Sequence, residues 1–376
     1  MKKFAGQRLA AMVGIPVSLA LLGVLALHPG QSEVPVRVSS VEIMDKYDMA
    51  VGNAVSDALD GVLAIDKVYW LDEENPVAPR PNPEKAGQTK NPGELAQILE
   101  QAQELLDLED PLFRTDAQIL PGSRISYYLD DTIFSVCWKV PVGKAVYSFA
   151  EVKIAHPSQF RRFLSDDRYG SGTQYLTSTM AQSVHAVTAS AGDFYAYRPV
   201  GTTVYNGQVC RANSEKLDLC FVDSQGDLIF TRPGDLKNEA DTRKFVKDRD
   251  IRFSLAFGPA MIDGGELCYP EQYPLGEPRH HFSRAALCQQ GPLHYVVVTA
   301  NMGYARDMPP TVAQFAKALQ ELGIQKAYTL DGGQTATLVS NGQVFNSVDY
   351  GDQRRISDIL YFATALPEST WEEEEK

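Results

Sequence analysis

Asp331-Gly332-Gly333 closes the apolar stretch AYTL with a carboxylate and two residues that lack side chains, and Gln334, Thr335 and Thr337 add further hydrogen-bonding groups. A carboxylate fixed at a strand end can serve as base or nucleophile, and paired glycines let a substrate approach the backbone or let amides point at an anion. The same letters also suit a tight turn whose aspartate caps the next segment, and a second Asp-Gly-Gly at 263–265 differs chiefly in its weaker polar sequel. In SAGDFYAYRPVG (190–201), Asp193 precedes Tyr195 and Arg198, which fits a carboxylate near a sugar or other ring-shaped ligand and equally a strand end with Asp193 in a turn. In RHHFSRAALCQQG (279–291), Arg284 offers a rigid donor fork to phosphate or carboxylate. Asn346 with Arg354 and Arg355 is the fourth candidate group, an anion site or a pair of surface arginines.

Other chemistries have less to stand on. His280 and His281 lack the spaced partners of a metal site, and no EF-hand-like loop is present. A divalent cation such as calcium, bridging Asp331 to a phosphate, stays open, with no metal ligand assigned. There is no GxSxG, and the six histidines are scattered, so a serine triad has no local support. Cysteines occur at 137, 210, 220, 268 and 288 without any CxxC. Cys210 and Cys220 bracket a span long enough for two strands and a turn, so a disulfide between them and free buried thiols are equal readings.

These groups need a frame to hold them. The chain has 376 residues, a formal net charge of -13 and 44% hydrophobic residues. That charge excludes binding to long nucleic acid backbones but leaves room for a small anion met by a few local arginines. Lys2, Lys3 and Arg8 precede an uncharged apolar run, 9–27, which reads as a signal peptide or membrane anchor with the remainder exported. Residues 35–72 begin extended and turn helix-compatible around Val51, Val55 and Leu59, and the proline-rich 72–93 reads as a connector or surface arm. An amphipathic helix is expected over 94–110, started by Asn91-Pro92 and carrying Leu95, Ile98, Leu99, Ala102, Leu105 and Leu106 on one stripe. From 125 onward the pattern is strand-rich, with PSQFRRFLSDD (157–167) expected as a short surface helix and turns at Asn206-Gly207 and QGD. LHYVVVTANM, TVAQFAKALQELGI and KAYTL read as strand, helix and strand, a βαβ-like crossover that ends at Asp331. The expected fold is α+β: a large mixed sheet with flanking helices. The expected organisation is an anchor or signal at 1–30, a helical and proline-rich region at 31–124, a catalytic domain at 125–367 and an acidic tail at 368–376.

Taken in order, Asp193-Phe194-Tyr195, Asn206-Gly207, FSRAALCQ, TVAQFAKALQELG, LDGGQTATLVSNGQVFN and RRISDILYF resemble the motifs of the phosphodiester glycosidase family over about residues 180 to 362. The sequence departs from that pattern at Phe282-Ser283-Arg284-Ala285-Ala286-Leu287-Cys288, where relatives have Asn-Pro-Arg-Thr-Ala-Ile-Gly, and at Ala300-Asn301-Met302, where Asp-Gly-Arg is common. The resemblance implies hydrolysis of the glycosidic bond of a sugar phosphodiester at the cell envelope. It implies Asp193 and Asp331 as base or nucleophile and Arg284 and Arg354 on the phosphate. Tyr195, Arg198, Gly332, Gly333, Gln334, Thr335 and Asn346 are then substrate contacts. A phosphorylated-glycan binding module without turnover, an assembly protein that uses helix 94–110, and a peptidoglycan hydrolase are the other classes the residues allow.

Overall fold

The computed structural model describes residues 76–213, 216–302 and 308–372. The 9–27 run, the 35–72 stretch and the end of the acidic tail lie outside the described residues. No helix among the described residues is long and apolar enough to cross a membrane.

Nine strands form the principal sheet. Across it they run Ala86–Thr89, Ile125–Leu129, Ile133–Val142, Ala145–Ile154, His294–Met302, Arg284–Gly291, Lys326–Leu330, Ala260–Asp263 and Glu266–Leu267. Every neighbouring pair is antiparallel, so the expected mixed sheet is corrected to a wholly antiparallel one. The reason lies in the crossover. His294–Met302 and Lys326–Leu330 do run in the same direction, with the helix Val312–Glu321 between them in sequence, but Arg284–Gly291 is inserted between them and pairs antiparallel with both.

Strand periodicity splits the side chains between two cores. Phe134, Val136 and Trp138 join Ala286, Val296 and Val298 on the face covered by the helices Ala96–Leu106 and Val312–Glu321. Ile133, Cys137, Leu287, Val297 and Tyr328 point the other way, onto Phe160, Leu338, Leu360 and Phe362. Those last residues belong to a second sheet, ordered Gln343–Val344, Leu338–Ser340, Thr188–Ala191, Asp358–Phe362 and Phe160–Leu164. The result is three layers: helices, the nine-stranded sheet, and a smaller antiparallel sheet.

The first helix begins where expected, with the Asn91 side chain accepting from the Gly93 amide and Pro92 in the opening turn. It ends earlier, at Leu106, because Asp107 takes a left-handed conformation. Leu95, Leu99, Ala102 and Leu106 are buried, whereas Leu105 is exposed. The expected surface helix at 157–167 is corrected: after one 3-10 turn, Phe160–Leu164 is a fully buried strand. All five cysteines are free thiols, so the Cys210–Cys220 pairing does not form.

Candidate functional site

Three loops meet at one end of the sheets: 331–337 after Lys326–Leu330, 192–201 after Thr188–Ala191, and 349–355 before Asp358–Phe362. The Gln334 side-chain amide donates to the Asp352 carbonyl (3.1 Å), and the Tyr197 hydroxyl donates to the Arg355 carbonyl (3.1 Å). The third loop is thereby tied to the other two.

The 331–337 loop is built by close approach. A Cβ on Gly332 would stand 2.3 Å from the Ser283 carbonyl oxygen, so no other residue fits without moving backbone. Gly333, at φ +60, donates its amide to that same oxygen at 2.7 Å. A buried polar chain then encircles the loop. The Ser283 hydroxyl donates to Asp349 Oδ1 (2.7 Å), and Asn301 donates to the same oxygen (3.5 Å). Asn346 donates to Asn301 Oδ1 (2.7 Å) and to the Ala336 carbonyl (2.7 Å), and accepts from the Leu338 amide (2.8 Å). Asn346 and the Gly333 amide, both expected to meet substrate, therefore spend these groups on shaping the loop. Asn301 likewise acts as a link in the chain.

Asp331 stands at the rim of this loop, half-buried. Burial pushes its carboxyl up to about 6, against the pull of the Thr335 hydroxyl, the Arg354 guanidinium and the Gly332 amide; Asp193 pushes in the same direction as burial. Arg354 is exposed and lies over the Tyr197 ring, 5.1 Å from its centroid. Tyr197 also lines a cleft of about 440 Å³, together with Tyr169, Tyr195, Arg198, Arg211 and Ser357. The Ser357 hydroxyl is buried and has no hydrogen-bond partner among the described residues. Arg198 is exposed over Phe194 (5.6 Å), and Arg211 ties down the loop through the carbonyls of Gly201, Tyr195, Arg198 and Val200.

Asp193 is present but committed. Its Oδ1 accepts from Arg162 Nη2 (2.7 Å) and the Tyr195 amide (2.8 Å), and its Oδ2 accepts from the Ala256 amide (2.7 Å). Arg162 also donates from Nε to Asp358 Oδ2 (2.9 Å) and from Nη1 to the Ser254 carbonyl, and the Tyr195 ring lies 5.1 Å from its guanidinium carbon. All three charged side chains are fully buried. Two carboxylates thus share one guanidinium beneath the cleft; burial raises the Asp358 carboxyl, Arg162 opposes the rise and Asp193 adds to it. Gly192 admits this packing, since a Cβ there would lie 2.1 Å from Asp358 Oδ2.

Arg284 does not join the group. Its donors go to the carbonyls of Pro310 (3.2 Å), Gly276 (2.6 Å), Glu277 (3.2 Å) and His280 (2.6 Å), on the same face of its strand as Ala286 and Cys288. Burial with little compensating charge lowers it to about 10. It clamps the 276–280 loop. Of the expected residues, the structure sets Asp331 within electrostatic reach of Thr335 and Arg354, lays Arg354 over Tyr197 of the cleft that Tyr195 and Arg198 line, buries Asp193 on Arg162, and engages Arg284 elsewhere. Sequence reasoning missed Arg162, Tyr169 and the role of Ser357. Arg162 had a signal, since Phe160, Arg162 and Leu164 alternate with Arg161 and Phe163 as a strand would. Among the described residues no three His, Cys, Asp or Glu side chains are grouped to hold a metal ion.

The family described as phosphodiester glycosidase matches residues 182–363. No curated protein matches the sequence. Among solved structures, a hypothetical protein from Synechocystis is 13% identical with a TM-score of 0.50, over 66% of this chain and 64% of that one. The match therefore spans less than two thirds of the Synechocystis protein, and it speaks for the fold. The catalytic domain of zebrafish N-acetylglucosamine-1-phosphodiester alpha-N-acetylglucosaminidase, auto-inhibited by its pro-peptide, is 15% identical with a TM-score of 0.48, over 66% of this chain and 85% of that one.

Proposed function

Because the chain is homologous to the phosphodiester glycosidase family over residues 182–363, we propose that it hydrolyses the glycosidic bond of a sugar phosphodiester on the outer side of a membrane. The observation that carries this reading is the Asp331 carboxyl, raised to about 6 within electrostatic reach of Arg354, which itself lies over Tyr197, one wall of the aromatic cleft. In the proposed reaction Asp331 takes a proton from water as the water oxygen bonds to the anomeric carbon. The bond from that carbon to the phosphate oxygen breaks, and its electron pair leaves with the phosphate monoester. Phosphate is a good leaving group, so a second carboxylate acting as acid is not required, which fits the commitment of Asp193 to Arg162. Arg354 holds the phosphate charge, Tyr195 and Tyr197 wall the sugar, and Ser357 supplies a hydroxyl to it. Asp193, Arg162 and Asp358 act as positioning residues. The outer location rests on the apolar run 9–27.

One observation favours a second reading, a glycan-binding module without turnover: Arg284 and Asp193 are both spent on the fold. A panel of α- and β-linked sugar phosphodiesters separates the two. Turnover is expected as release of free sugar, lowered about a thousandfold in Asp331→Asn while binding persists. Binding without free sugar from any member overturns the hydrolase reading and leaves the binding one.

A further inference from the structure

Away from the cleft, Lys90, Arg124 and Lys139 converge on a pocket of about 640 Å³ that is completed by Phe345, Met302 and Ser347. No carboxylate among the described residues lines it, although the chain carries a net charge of -13. Among the described residues none of the three cations takes part in an ion pair. Arg124 is oriented rather than loose: Nη1 donates to Gln343 Oε1 (3.1 Å), Nη2 donates to the Val344 carbonyl (3.3 Å), and its guanidinium carbon lies 6.0 Å from the Phe345 ring centroid. Lys139 Nζ sits 5.2 Å from the same centroid, so two positive groups share one buried ring. Burial, and then Arg124, lower the affinity of Lys139 for its proton, which an arriving anion would reverse.

We propose that this pocket is a second anion-binding site, which takes the phosphate or carboxylate group of an acidic saccharide. Lys90, Arg124 and Lys139 all precede residue 182, so the site's cations come from outside the matched family segment, while Met302, Phe345 and Ser347 come from within it. Its lining is continuous in sequence with the polar chain around the Asp331 loop. Met302 and Ser347 follow Asn301 and Asn346, whose side chains bond each other at 2.7 Å in the chain around the Asp331 loop.

The test is titration calorimetry on the full chain carrying Arg354→Ala, at low ionic strength, which removes the phosphate contact proposed at the cleft and leaves the double variants to assign the remaining binding. Glucose 6-phosphate, glucuronate, inorganic phosphate and neutral glucose are the probes. The acidic probes are expected to bind and glucose not to, and the stronger of phosphate and carboxylate identifies the preferred group. Lys139→Gln with Lys90→Gln is expected to weaken binding at least tenfold, and added salt to weaken it further. Lys139→Ala with Arg124→Ala, confirmed as folded by thermal melt, should do the same. Binding of no acidic probe, or binding that both double variants leave unchanged, overturns the proposal. Sugar release from phosphodiesters is a separate measurement, so failure here and failure of the hydrolase reading are told apart.

Discussion

The chain contains Asp-Gly-Gly twice, and the two copies end strands that pair with each other. Ala260–Asp263 runs antiparallel to Lys326–Leu330 with Asp263 opposite Lys326, so the copies sit at opposite ends of the sheet. At 263–265 the motif is a two-residue hairpin turn. Gly264 and Gly265 take φ of +61 and +79, Asp263 pairs with Glu266, and its side chain is exposed. At 331–333 the first glycine is needed for space, since the Ser283 carbonyl fills the volume of its Cβ, and only Gly333 takes a positive φ. There the loop is ringed by Ser283, Asp349, Asn301 and Asn346, and its aspartate is half-buried beside Arg354. Identical tripeptides thus do different work because their surroundings differ. A glycine that relieves a torsion is a turn, and a glycine that admits a neighbouring backbone marks a built loop.

The largest difference between the two ends comes from what lies under them. Arg162→Met would leave Asp193 and Asp358 buried without their shared cation, and a loss of about 3–5 kcal/mol is expected by denaturant unfolding. The Asp263 side chain makes no ion pair among the described residues, and its replacement should come nowhere near this figure. Next, Asp331→Asn should lower turnover of a responsive phosphodiester about a thousandfold, roughly 4 kcal/mol in barrier, while Asp263→Asn leaves it unchanged. If Asp331 works as the base, kcat/KM should fall about tenfold per pH unit below about 6 and level off above it, since the reactive form has lost its proton. A rate that falls as pH rises through 6 would assign it the acid role instead.

Gly332→Ala against Gly264→Ala isolates the packing argument. A methyl 2.3 Å from a carbonyl oxygen forces backbone apart, so about 2–3 kcal/mol and most of the activity should be lost. Gly264 faces open space, so Ala there meets only the cost of a left-handed torsion, about 1 kcal/mol, with activity kept. Equal losses at the two positions would remove the distinction on which the loop assignment stands.

Much of the frame was legible because it rests on local rules. The amphipathic helix Val312–Glu321, the apolar strand His294–Met302 and the turn at Asn206-Gly207 all emerge where pattern placed them. Asp331 and Arg354 were legible as candidates by residue type. What could not be read was which charges meet. Arg162 lies 31 residues from Asp193 and 196 from Asp358, and two adjacent arginines after a proline look like a solvated surface until a second sheet buries them. Arg284 failed in the opposite sense: its fork is real, but the carbonyls of a loop that precedes it in sequence take it up. Sequence separation hides the partner, and only the partner decides whether a charged group is a site or a strut.

The smallest contrast is in stability. A carboxyl held at about 6 in the folded state and near 3.9 when unfolded disfavours folding once it ionises. Its contribution is fully present below about pH 4 and is lost as pH rises through 6. Asp331→Asn should therefore match the unmutated chain at pH 4 and exceed it at pH 7, by about 1 kcal/mol once solvent screening of a partly buried group is allowed for. Asp263, exposed on its hairpin, should show a difference within about 0.5 kcal/mol at either pH when changed to Asn. Urea melts at the two pH values read both. An Asp331→Asn chain less stable at pH 7 would mean that the carboxylate is tied into the fold as Asp193 is, and the loop would then hold no free base at its rim.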